Sequence, residues 1–380
     1  MPRRALPSLR TRLWPILLLL ALAGCGQDGP PPLPPLPDGA LEAVVVEPGV
    51  PREPLARAVD ALFTRDGIGE TRAVVVMHGG KVVAERYADG YDANTRFVGW
   101  SMSKTVTAVL VGIMEGDGRL ALDDPPPIDH WQRAGDPRGE ITLRHLLQMR
   151  SGLRHAEMVE PRYESSEVRM MFLDGRDDMA AWAEAQPLDH EPGQHFQYST
   201  ASTVILGDVL ARLLVPDGGP SDRVEAVSDF VAARLAGPVG MSSLVGEYDA
   251  AGTLVAGSSF WANARDWAKF GELLRTGGVV GGVQVVPRGW VDFMRSPSPR
   301  APDYGAQMWL NHQSEVDDRE VLFPDQGRET LFGAAGHMGQ YLLVSPSQRL
   351  TVVRLGHTPN EEADALVDAL AEIFALYPER

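Results

Sequence analysis

Ser101 and Lys104 stand three residues apart in Gly99-Trp100-Ser101-Met102-Ser103-Lys104, at the head of an apolar run with helical spacing. That placement predicts a hydroxyl in the first helical turn with an amine on the same face one turn later. The chemistry is nucleophilic catalysis. A helix N-terminus favours negative charge developing on the serine oxygen, and a neutral amine can take its proton. An ordinary lysine is charged at neutral pH, so the arrangement requires a desolvated cleft around it.

Ser-x-x-Lys alone is a weak signal, and its alternative is a helix-capping serine beside an exposed lysine, which explains neither the choice of lysine nor the segments described below. Composition sharpens it. Lysine occurs only at Lys81, Lys104 and Lys269, whereas the other 32 basic residues are arginine. Lys81 follows a Gly-Gly turn and Lys269 falls in a helical stretch, so both are expected to be solvated charges. A chain so biased towards arginine keeps lysine where the side chain must lose a proton, which arginine cannot do.

The elements that must position this pair can be read from periodicity. Leu55 to Phe63 has helical spacing; Ala73 to His78 and Val82 to Tyr87 are strands around the turn Gly79-Gly80. Val106, Val109, Leu110, Ile113 and Met114 form one helical stripe, stopped by Gly116-Asp117-Gly118. Ile205, Leu206, Val209, Leu210, Leu213 and Leu214 form another, stopped by Pro216. Tyr341 to Val344 and Leu350 to Leu355 flank the turn Ser345-Pro346-Ser347. Leu366, Leu370, Ile373 and Phe374 then mark a closing amphipathic helix. The predicted fold is α/β plus α: an antiparallel sheet from both terminal regions, flanked by helices, with a mostly helical inserted region. The sheet region is expected over about 51–100 and 255–380, the helical region over about 101–254. There is no internal repeat.

The string WSMSKTVTAVLVGI resembles the serine β-lactamase and penicillin-binding-protein superfamily. It is most similar to the class C-like branch that includes esterases, D-amino-acid peptidases and 6-aminohexanoate-dimer hydrolases. Ile141 to Leu153 (ITLRHLLQMRSGL), Pro192 to Thr200 (PGQHFQYST) and Gly336 to Gly356 also look like that branch, in the expected order and across most of residues 50–380. The resemblance implies Ser101 as nucleophile, with Lys104 and Tyr198 exchanging its protons; which of the two is the acylation base stays open, since they would titrate as a pair. Thr200 stands where the Tyr-x-Asn motif has asparagine, which puts the usual amide contact to substrate in doubt. His337-Met338-Gly339 matches the His-x-Gly motif at an expected strand start, with Gly339 letting substrate approach the strand. The implied oxyanion hole is the backbone N–H pair of Ser101 and Gln340. His337, mostly neutral at pH 7, would grip a carboxylate poorly.

Charge points the same way. The net charge of −16 includes a leader with Arg3, Arg4, Arg10 and Arg12 and no acid through residue 24, which leaves 31 basic against 51 acidic residues. A body at −20 disfavours nucleic acid and anionic substrates. Residues 1–25 read as an export signal: basic start, apolar Leu13 to Leu22, and Leu22-Ala23-Gly24-Cys25 resembling a bacterial lipoprotein processing site. The apolar run is too short to span a bilayer. Cys25, the sole cysteine, would be acylated, leaving residues 26–50, with their proline run Pro30 to Pro37, as a tether and 51–380 as the catalytic region. The expectation is therefore an exported, membrane-anchored lipoprotein of the periplasm or cell envelope.

No cofactor or metal is expected. His190 and His195 are five apart with Pro192 and Gly193 between them, which no zinc helix tolerates. Gly99 to Ser103 lacks the last glycine of a Gly-x-Ser-x-Gly elbow, which argues against a Ser-His-Asp hydrolase. Trp261, Tyr304 and Trp309 could line a cleft, though core packing is the commoner role for such residues. The reading is a serine hydrolase cleaving an ester or amide through an acyl-enzyme on Ser101. Its rivals are a D,D-peptidase or β-lactamase and, outside enzymes, a lipid-anchored binding protein that has lost its chemistry.

Overall fold

A computed structural model describes residues 34–157, 159–316 and 320–379. The leader and Cys25 lie outside the described residues, so the export and lipidation readings fall on residues of which nothing structural is said. Residues 37–380 pack as one unit.

Six strands among the described residues make an antiparallel sheet: β1 (Glu70–His78), β2 (Lys81–Tyr87), β3 (Trp309–Leu310), β4 (Phe332–Gly336), β5 (Gln340–Ser345) and β6 (Leu350–His357), in the spatial order β2-β1-β6-β5-β4-β3. The first two strands thus join the last four, as the terminal patterning predicts. Val74 lies opposite Arg354 and Leu342 opposite Val353. Gly79 and Gly80, both left-handed at φ 60° and 82°, form the two-residue turn whose twist suits a hairpin.

Helix α1 (Arg52–Thr64) buries Leu55, Ala56, Val59 and Leu62, and the closing helix α5 (Ala363–Leu376) buries Leu366, Leu370, Ile373 and Phe374. Between them run α2 (Met102–Gly116), α3 (Thr200–Leu214) and α4 (Ala264–Arg275). Helix α4 packs on the sheet through Gly271, where a Cβ would lie 2.5 Å from Thr351 Cγ2 and 2.6 Å from Leu342 Cδ1. Gly271→Ala is accordingly expected to cost about 1–3 kcal/mol through overpacking, read as a lower midpoint in urea unfolding.

Two expectations are revised. The stripe on α2 predicts one buried face, yet every residue from Met102 to Met114 is buried. Its polar residues are accommodated by bonding to neighbouring backbone: Thr105 Oγ1 donates to Gln307 O (2.6 Å), Thr107 Oγ1 donates to Ala256 O (2.8 Å), and Ser103 Oγ accepts from Phe260 N–H (3.0 Å). A helix surrounded on all sides sits deep between the sheet and the helical region. The second revision concerns residues 37–50, expected within the tether. Ala40 and Val44 are buried there, Val45 N–H donates to Val83 O, and Glu85 N–H donates to Ala43 O, so this stretch covers the outer edge of β2.

Candidate active site

Ser101 occupies the N-cap position of α2 but its side chain caps nothing. Its Oγ lies instead 3.0 Å from Lys104 Nζ. The preceding residue, Trp100, has φ 46°, a left-handed conformation that non-glycine residues seldom adopt. This strained bend turns the chain from the short strand Arg96–Val98 into α2; it is also anchored by Gly99 N–H donating to Phe260 O (2.8 Å).

Lys104 is 1% exposed, with no carboxylate among its hydrogen-bond partners. Besides Ser101 Oγ, its Nζ reaches Thr200 Oγ1 at 2.8 Å and Gly257 O at 3.0 Å. Thr200 opens α3, capped by Ser199, whose side chain accepts from Ser202 N–H. The hydroxyl retained at Thr200 therefore holds the lysine, a role the sequence alone did not reveal. Gly257 must lack a side chain here, since a Cβ would lie 2.7 Å from Thr200 Cγ2. The other two lysines differ: Lys81 is exposed, and Lys269 is also solvated along much of its side chain while it donates to Asp266 Oδ1 at 2.7 Å and to Gly240 O.

Tyr198 lies in the same site, with Lys104 Nζ 4.9 Å from its ring centroid. Burial raises the phenol above its ordinary value despite the opposing pull of Lys104. The ring stacks on Trp309 (5.6 Å, 21°) and meets Tyr304 edge-on (5.8 Å). Tyr304 is core, as expected of it, but Trp309 is half-buried and lines the cleft. Trp261 stands apart, donating to Glu247. Beside Tyr198 opens a cavity of about 280 Å³, with Glu157, Phe196, Asp303, Trp309 and Val316 among its walls.

Residues 337–339 form the turn between β4 and β5 rather than a strand start. Met338 and Gly339 are both left-handed, at φ 59° and 74°. A Cβ on Gly339 would meet Arg354, Leu366 and Thr358, so the tight turn itself requires glycine here. The Gln340 side chain braces the loop, its Nε2 donating to the carbonyls of His337 (3.0 Å), Met338 (3.0 Å) and Gly356 (2.8 Å). The buried Arg354 guanidinium donates to Gly339 O (2.8 Å). His337 is exposed, with its ring edge-on to Trp100 at 5.6 Å. Desolvation on its packed side lowers the imidazole from its ordinary value, so it is mostly neutral at pH 7.

Sequence reasoning missed Glu157. It lies in irregular chain where no period marks it, is 8% exposed, and accepts the backbone N–H of Thr200. Burial raises its carboxyl to about 7 against the attraction of Lys104.

A serine hydroxyl, a buried amine and a phenol gathered at a helix N-terminus, beside an antiparallel sheet, define a serine hydrolase of the Ser-x-x-Lys class. Residues 57–377 match the family described as beta-lactamase, and the chain belongs to that family. Among characterised relatives it is 28% identical over 343 residues to the 6-aminohexanoate-dimer hydrolase of Paenarthrobacter ureafaciens, covering 83% of this chain and 81% of that protein. A putative 6-aminohexanoate-dimer hydrolase from Bacillus anthracis superposes with a TM-score of 0.65 at 22% identity, covering 82% of this chain and 81% of the other. A family VIII carboxylesterase gives 0.61 at 17% identity, covering 84% and 97%. At these identities the two structures speak for the fold.

Proposed function

We propose that the protein cleaves a neutral or cationic ester or amide through an acyl-enzyme on Ser101. The observation that carries this reading is the 3.0 Å approach of Lys104 Nζ to Ser101 Oγ inside a desolvated pocket. For Lys104 to act as the base, its lone pair must face the Ser101 hydroxyl while its two N–H bonds go to Thr200 Oγ1 and Gly257 O. As Oγ bonds to the substrate carbonyl carbon, its proton passes to Nζ and the carbonyl electrons move onto oxygen, between the backbone N–H groups of Ser101 and Gln340. Tyr198, held as a neutral phenol by burial, is suited to protonating the leaving group as the carbon–heteroatom bond breaks, and Lys104 resupplies its proton. Water then repeats the sequence on the acyl-enzyme and releases the acid.

The substrate class rests on charge. The His337 imidazole is mostly neutral at pH 7, Glu157 lines the cavity, and the body carries −20; none of these favours a carboxylate on the substrate. A screen at neutral pH of p-nitrophenyl butyrate, a p-nitroanilide and a chromogenic cephalosporin is expected to give kcat/KM for the ester at least about tenfold above the cephalosporin, roughly 1.4 kcal/mol of discrimination. Faster cephalosporin turnover would instead favour a β-lactamase or D,D-peptidase.

A further inference from the structure

We propose that Glu157 is a positioning residue for the Ser101–Lys104–Tyr198 centre: it holds Thr200 in place through the backbone and, when ionised, stabilises the ammonium formed as Lys104 takes the serine proton. The inference rests on the reading of Ser101 as nucleophile. Its geometric basis is a short chain of contacts. The Glu157 carboxylate accepts Thr200 N–H, and the Thr200 hydroxyl is 2.8 Å from Lys104 Nζ. One buried carboxyl thereby fixes both the residue that orients the lysine and the chain that leads directly from Tyr198 into α3. It also stands in the wall of the cavity beside Tyr198.

The charges around Glu157 set the sign of the effect. Lys104, when charged, attracts its ionised form and Glu167 opposes it, while the Glu157 charge in turn raises the phenols of Tyr198 and Tyr304. Asp303 shares the cavity wall, and Arg162 donates to the Glu157 carbonyl at 3.4 Å. Within this setting burial carries the carboxyl up to about 7. Ionisation through that range places a negative charge in a low-dielectric site just where proton transfer from Ser101 creates a positive one. Acylation should therefore accelerate as pH rises through about 7. The His337 imidazole, lowered from its ordinary value, titrates below this window, and the phenols of Tyr198 and Tyr304, raised by burial, titrate above it.

The test is the second-order rate of fluorophosphonate labelling between pH 5.5 and 9, for wild type and Glu157→Gln. Glutamine keeps the shape and an acceptor for Thr200 N–H but cannot ionise. Wild type is expected to show an inflection near 7, and Glu157→Gln to lose it and to label about tenfold more slowly at pH 8. Glu157→Asp, which retains ionisation, should keep an inflection. Thermal unfolding of each variant separates loss of fold from loss of rate. An inflection near 7 that survives unchanged in a folded Glu157→Gln overturns the proposal. Absence of labelling at Ser101 in wild type would instead overturn the underlying assignment of the nucleophile.

Discussion

Ser101→Ala is expected to abolish fluorophosphonate labelling and to lower kcat for every accepted ester or amide by about four orders of magnitude or more. Losses of that size follow when the atom forming the covalent bond is removed, and the residual rate comes from binding and the remaining donors. The fold should be indifferent. The Ser101 side chain caps no backbone N–H of α2, and Lys104 keeps Thr200 Oγ1 and Gly257 O as partners. Unfolding free energy should thus change by about 1 kcal/mol at most, the size of the single hydrogen bond lost to Lys104 Nζ. The contrast between lost chemistry and retained stability distinguishes a nucleophile from a structural serine. Equal labelling of mutant and wild type would place the reactive hydroxyl elsewhere.

The second large effect belongs to Lys104→Arg. Arginine keeps a long basic side chain, yet its guanidinium does not give up its proton in a protein. The loss expected in kcat/KM is about 10²–10⁴-fold, the range associated with removing a general base. Because the site is buried and shaped around a single Nζ with three oxygen neighbours, the bulkier arginine can also strain the fold. A parallel Lys104→Ala variant, assayed with added small primary amines, separates the two causes: recovery of rate with amine concentration reports a missing proton acceptor rather than a distorted pocket. An arginine variant that turned over substrate normally would remove lysine from the proton path.

The elements supporting these expectations were legible to the extent that their signals are local. The hairpin at Gly79-Gly80 and the closing helix carry strand and helix periods that burial then follows. Ser101 and Lys104 are close because one helical turn brings them together, so their contact is written in their spacing. Tyr198 required the resemblance to a known motif, since nothing local distinguishes it from a structural tyrosine ahead of a helix. Glu157 carried no signal of either sort; its environment is assembled by Lys104, Thr200 and the cavity residues Asp303 and Trp309, all distant in sequence. The turn at 337–339 misled for a related reason. Gly339 marks a backbone need, and only tertiary contacts show that this need includes a left-handed turn packed on Arg354. The all-round burial of α2 was likewise hidden, because threonine and serine satisfied by distant carbonyls and amides look polar in sequence.

The order of the strands has a bearing on how the enzyme comes into being. Val74 in β1 finds its neighbour only at Arg354 in β6, and the loop beside Trp100 is supplied by the stretch between β4 and β5. Closing contacts across so long a span is entropically slow. A chain growing from its N-terminus presents Ser101, Lys104 and Tyr198 long before the partners of β1 exist, so the residues of the candidate site are made early while their surroundings are finished last.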